Sequence, residues 1–159
     1  MTSCHPTRYA QSLAFLLSQV GARSAQAFAD RLAPLGISPR AYGVLSNLAV
    51  TGGRTQQQLA DALGIHRNNM VGLVDELETA GWVRRHRSDL DRRAFDVRLT
   101  EAGVTQVRRV DDVIPELDEE VGQGLNDRER QMAVELLGKL AGAAGLRAGV
   151  HPHLRRWPH

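Results

Sequence analysis

Leu59–Thr100 reads LADALGIHRNNMVGLVDELETAGWVRRHRSDLDRRAFDVRLT, and its apolar period changes along the way. Thr55 followed by Gln58 is a capping box, T-x-x-Q, that opens a short helix through Leu59, Ala60 and Leu63. Gly64 stops it. After Ile65, the spacing of Met70, Leu73, Val74 and Leu77 by threes and fours predicts a longer helix to about Ala80, ended by Gly81. The period then becomes two. Phe95, Val97 and Leu99 alternate with Asp96 and Arg98, the pattern of a half-buried strand over 94–99, and 82–87 is its partner across the polar turn SDLDRR. Short helix, tight glycine turn, second helix and β-hairpin is the order of a winged helix-turn-helix.

The charges fit a purpose for that order. Once the apolar stripe of the second helix, 66–80, packs inward, His66, Arg67, Asn68 and Asn69 are left outward near its N-terminus. Arginine pairs with guanine O6 and N7, and asparagine with adenine N6 and N7. Asp75, Glu76 and Glu78 fall in the C-terminal half, away from an approaching phosphate. The hairpin that follows, 84–98, carries six arginines and three aspartates, with Arg84, Arg85 and Arg87 on the outgoing strand and Asp91, Arg92 and Arg93 in the turn. A solvated, salt-bridged face accounts for the charge but not for its position directly after a helix of that polarity. Arginines at a hairpin tip enter the minor groove or clamp phosphates.

The flanks are helical. From Thr7 to Leu32 apolar residues recur by threes and fours, predicting one long amphipathic helix. PLGISP breaks it, with Ser38 as cap and Pro39 in the first turn of a helix to about Val50. Thr100 caps a long acidic helix with a stripe of Val104, Val107, Ile114, Leu117 and Val121, kinked near Pro115. Asn126 with Glu129 is a second capping box, starting a last helix through Ala133, Leu136, Leu137 and Leu140. The expected fold is mainly α with a small β-hairpin wing. It divides as 7–36 and 101–145 for the terminal helices, 37–100 for the winged lobe, and 146–159 for a basic tail with little core-forming content.

At 159 residues the chain suits one domain. Aromatics are 4%, so the core rests on Leu, Val and Ala, and net charge is only +2 because the basic hairpin and tail are offset by an acidic stretch between Asp111 and Glu135. A single cysteine, Cys4, excludes an internal disulfide. MTSCHPTRYA lacks the layout of a signal peptide and no apolar run reaches membrane length, so a cytoplasmic chain with no membrane partner is expected. There is no G-x-S-x-G, P-loop or H-E-x-x-H, and the acids at 111–120 read as a solvated helix face; no enzyme, cofactor or metal is expected. His151 and His153 are two ligands without a third.

LADALGI, LVDELETAGWVRR, D-L-D-R-R and VRLTEAG resemble the MarR (multiple antibiotic resistance) regulators in order and spacing, over about Leu13 to Leu140. The resemblance implies a symmetric dimer held by N- and C-terminal helices, with two winged lobes on a palindromic operator. It also implies that Asp91 steadies the wing tip, that Arg93 reaches the minor groove, and that Arg67 to Met70 occupy base-reading positions. In the peroxide-sensing branch a reactive cysteine lies in an L-C-F-L-L-Y run. Here Leu13–Ser18 reads LAFLLS, with Ala14 for the cysteine and Ser18 for the tyrosine, so sensing by that route is not implied. The expected partners are double-stranded DNA, a second copy of the chain, and a small-molecule effector between the terminal helices and the lobe, near Tyr9, Arg23, Arg40 and Tyr42. The expected activity is ligand-responsive repression through helix 66–80 and wing 84–98. The alternative is a winged-helix adaptor that binds protein without reading DNA; the outward Arg67–Asn69 face argues against it.

Overall fold

Among the described residues, six of the seven α-helices begin where a side chain accepts a hydrogen bond from one of their first amides. The computed structural model describes residues 8–87, 95–147 and Gly149. The turn with Asp91, Arg92 and Arg93, the rest of the tail, and Cys4 lie outside the described residues. Helix α1, Leu13–Leu32, starts at Ser12, whose Oγ accepts from the Phe15 amide at 3.2 Å. Tyr9–Gln11 ahead of it form a 3-10 turn, so the helix expected from Thr7 is shorter at its start. Ser38 caps α2, Pro39–Thr51, and Pro39 takes the first turn, where a missing amide hydrogen costs nothing.

The lobe follows in the order read from the sequence. The Thr55–Gln58 box opens α3, Gln56–Leu63, with both reciprocal hydrogen bonds formed, at 2.9 and 3.2 Å. Gly64 ends it at φ 66°, a left-handed conformation that glycine adopts without a Cβ penalty. Helix α4, Arg67–Thr79, comes next. Strands β2, Val83–Arg87, and β3, Phe95–Leu99, pair antiparallel with Val83 opposite Leu99 and Arg87 opposite Phe95. A third strand, β1, Arg54–Thr55, adds to the free edge of β3, giving the order β1-β3-β2. Two residues are too short to carry a period, which is why the sequence read TGGR only as a loop.

The long acidic helix is two helices. Helix α5, Glu101–Asp111, ends before Val113, and α6, Ile114–Val121, begins with Pro115 in its first turn. A break costs less here than the kink expected at Pro115, because an interior proline would remove one ladder bond and clash with the preceding turn. Helix α7, Asp127–Ala143, starts from the Asn126–Glu129 box.

The core sits in the lobe. Leu32, Val44, Leu45, Leu48, Leu59, Leu63, Met70, Val74, Leu77, Val83, Val97 and Val110 are fully buried together, so α1, α2, α3, α4, α5 and the sheet all contribute. Gln106 of α5 is buried with its amide satisfied: Nε2 donates to the Leu35 carbonyl at 2.8 Å and Oε1 accepts from Arg109 at 3.1 Å. Helix α5 therefore packs as part of the lobe, and the segment 101–145 does not behave as one unit. Helix α7 buries no residue, and its Met132, Val134, Leu136, Leu137 and Leu140 are exposed, as are Leu13, Leu16, Leu17 and Val20 of α1. No helix among the described residues is long and apolar enough to cross a membrane.

Candidate nucleic-acid interface

The N-terminus of α4 is held by the residue before it. His66 is the N-cap, and its Nδ1 accepts from the Asn68 amide at 3.3 Å. The residue is exposed. Arg67, Asn68 and Asn69 are exposed, and among the described residues no hydrogen bond or ion pair holds their side chains. Met70 is fully buried beside Val74 and Leu77. It anchors the helix and cannot meet a base edge, so its place among the expected base readers is corrected. The apolar spacing that puts Met70 in the stripe is the reason: a residue cannot serve the inward and the outward face of one helix.

On the outgoing wing strand Arg85 is half-buried, whereas Arg84 and Arg87 are exposed. Side chains alternate along a strand, so Arg85 shares the side of buried Val83 and turns toward α4. There its backbone N–H donates to Glu78 Oε1 at 3.0 Å, its guanidinium pairs with the Glu78 carboxylate, and it also meets Asp75 Oδ1 at 2.5 Å. The Arg85 amide, then its guanidinium, hold the Glu78 carboxyl below the usual carboxylate range. Partial burial works against the Arg85 charge, but its bonds to Asp75 and Glu78 prevail and raise its pKa. Arg85 is thus a brace between wing and helix, whereas Arg84 and Arg87 are exposed.

The base of the wing is locked to α5. Thr100 Oγ1 donates to the Gly81 carbonyl at 2.6 Å and accepts from the Gly103 amide at 3.0 Å, while the Thr100 amide donates to the Trp82 carbonyl at 3.0 Å. That carbonyl lies so near Gly103 that a Cβ there would stand 2.0 Å from its oxygen. The glycine of LTEAG is required by this close approach.

Above the lobe, a cavity of about 430 Å³ opens between α1 and α2, lined by Ala22, Ala25, Gln26, Phe28, Pro39, Arg40, Tyr42, Gly43, Ser46 and Gly149. Phe28 and Tyr42 meet edge to face at 5.8 Å, and the Tyr42 hydroxyl donates to Asp111 Oδ1 at 3.0 Å. Burial, then the Asp111 carboxylate, push the Tyr42 phenol up to about 12. Of the four polar residues expected near an effector, Arg40 and Tyr42 line this cavity. Arg23 instead pairs with Glu120 at 2.6 Å, and Tyr9 packs on Phe15 at 5.1 Å.

A sequence model described as "MarR family" matches residues 35–94, the span of α2, α3, α4 and the outgoing wing strand. A regulator from Thauera aromatica, described as a putative transcriptional regulatory protein for the hcr operon, is 32% identical over 105 residues, 66% of this chain and 63% of its own length. Over this region the chain is similar to MarR-family regulators. Solved MarR structures share the fold. Apo wild-type MarR from E. coli superposes with a TM-score of 0.75 at 25% identity, covering 81% of this chain and 96% of its own. The transcriptional repressor CouR, bound to a 23-mer DNA duplex, gives 0.76 at 28% identity, covering 88% and 99%. CouR from Rhodococcus jostii RHA1 bound to p-coumaroyl-CoA gives 0.72 at 28%, covering 87% and 96%.

In this chain, then, the structure brings His66, Arg67, Asn68 and Asn69 together on one end of α4, with exposed Arg84 and Arg87 on the neighbouring strand and Arg85 and Met70 turned inward. Sequence reasoning missed two features. Counting alternation from Val83 would have turned Arg85 inward. Val71, exposed one turn after Arg67, was passed over because an apolar residue on a helix reads by default as core.

Proposed function

We propose that this chain is a cytoplasmic, non-enzymatic transcriptional regulator that acts as a dimer on duplex DNA and is released or retained by a small-molecule effector. The observation that carries the reading is the polarity of α4. Its N-terminal face offers Arg67, Asn68 and Asn69 without partners among the described residues, while Asp75 and Glu78, which would repel phosphate, share the one positive charge of Arg85. A helix N-terminus also favours the phosphates that flank a groove. Arg84, Arg87, Arg92 and Arg93 supply the wing's phosphate or minor-groove contacts, with Asp91 steadying its tip.

The exposed leucines of α1 and α7 support pairing with a second copy, since each large aliphatic side chain contributes roughly 1.5–3 kcal/mol when fully buried. The cavity between α1 and α2 lies between the helix that pairs and the lobe that binds, so an occupant changes the spacing of the two α4 helices. CouR, solved both with DNA and with p-coumaroyl-CoA, is described as a repressor, and repression is the sense of regulation assigned here. The test is a gel shift with fragments of the source genome at physiological salt. One or more fragments are expected to bind at least a thousandfold more tightly than random DNA. Binding no tighter than to random DNA would rule the reading out.

A further inference from the structure

Val71 and Gly72 sit in the middle of α4, one turn after Arg67 and Asn68, and both are exposed. Among the described residues, nothing within 4 Å would meet a Cβ at position 72. Glycine is the poorest helix former after proline, so a helix interior normally keeps one only where a neighbour presses close. Gly103 shows that case, with the Trp82 carbonyl against it; Gly72 has no such neighbour among the described residues. Gly21, Gly138 and Gly142 are bare in the same way, and they lie on α1 and α7, the helices assigned to the second copy. These bare helical glycines thus lie on the helices proposed above to meet a second copy or DNA. For α4, it is DNA.

Two further features point to how it is met. Helical side chains lean toward the N-terminus, so any side chain at 72 would lie over Asn68 and hold it off the surface. Val71 is a branched aliphatic residue, 39% exposed, on a face otherwise made of Arg, Asn and acids. In the major groove the one apolar group that a base pair offers is the thymine C5 methyl.

Resting on the DNA-binding reading above, we infer that Val71 and Gly72 are the point of closest approach of α4 to the groove floor. Val71 reads a thymine methyl, and Gly72 is bare so that Asn68 can lie against the adjacent base edge.

The experiment uses the full chain and the fragment it selects, with each thymine of the protected site replaced in turn by deoxyuridine, which lacks only the methyl. At one thymine of the site, the wild type is expected to lose roughly fourfold in affinity, the worth of one buried methyl group. Val71→Ala is expected to bind the thymine and deoxyuridine sites equally. Gly72→Ala is expected to melt about 2–4 °C higher than the wild type yet bind the operator at least tenfold more weakly. The inference is overturned if deoxyuridine has no effect at any position, if Val71→Ala keeps the wild-type sensitivity, or if Gly72→Ala binds as tightly as the wild type. A wild type that protects no DNA overturns the regulator reading itself, and this inference with it.

Discussion

Under the proposed function, Glu78 is a residue that looks adverse for DNA binding and yet serves it. An acid on a DNA-facing helix would repel phosphate, but this one is occupied by the amide and guanidinium of Arg85, fixing the wing at one angle to α4. Pairs this exposed contribute about 1 kcal/mol or less, so Glu78→Gln is expected to lower the melting temperature by about 2–4 °C at neutral pH. The folded-state pKa of Glu78 is depressed. Its contribution is therefore complete above the ordinary value of 4.5 and lost as pH falls through the lower folded value. Melting curves of wild type and variant should stay separated from pH 8 to 6 and converge below about pH 4.5; a constant gap would contradict the brace. Gly103→Ala has a steeper outcome. A methyl 2.0 Å from the Trp82 carbonyl forces α5 away from the wing, and a loss of about 2–3 kcal/mol in denaturant unfolding is expected, against near neutrality if the contact is absent. At this scale the sequence was legible where one rule decided the outcome, as with the caps at Ser38, Thr55 and Asn126. It was less so where two rules competed. Met70 matched both the core stripe and a base-reading position, and packing decided for the core. Arg85 matched a charge run, and strand alternation turned it inward.

Elements were legible in proportion to their length and their punctuation. Helices α2, α3 and α4 each have a capping side chain at the start and a distinct stop, and they lie where their spacing put them. The two-residue β1 has no period, and α5 and α6 read as one helix because the apolar stripe continues in register across the break at Val113. That break lets α5 pack in the lobe while α6 packs on α1, where Glu120 receives both Arg23 and Arg31. Tyr42 and Asp111 join α2 to the last residue of α5 just before it, beside the cavity. The raised pKa of Tyr42 makes this joint sensitive to alkali. Its contribution is whole below the ordinary value of 10 and is lost as pH rises through about 12. In a Tyr9→Phe background, absorbance titration should place the remaining phenol near 12; a midpoint at 10 would mean that the joint is open in solution.

The whole molecule is two surfaces around one core. The lobe gathers its apolar side chains into one core, while α1 and α7 leave leucines, valines and Met132 in water. Such a face on a chain with net charge +2 favours association, and symmetric pairing satisfies it with one patch. Pairing also converts the single winged lobe into a two-fold reader, because dimeric helix-turn-helix proteins place their recognition helices about one turn of DNA apart, or a multiple of it. Under the proposed function, an occupant of the cavity has its consequence only in the dimer, where a shift of α1 against α2 alters that distance. Leu137→Glu is the variant that separates the two surfaces, since it alters α7 and leaves the lobe core untouched. The most direct measurement is a hydroxyl-radical footprint of the wild type and of Leu137→Glu on the selected fragment, with sedimentation of each. Two protected half-sites related by a two-fold axis, centred about one helical turn or a multiple apart, are expected for a dimeric wild type, and their loss for a monomeric Leu137→Glu. A single protected site without two-fold repetition, or a footprint unchanged in a monomeric variant, would contradict the account.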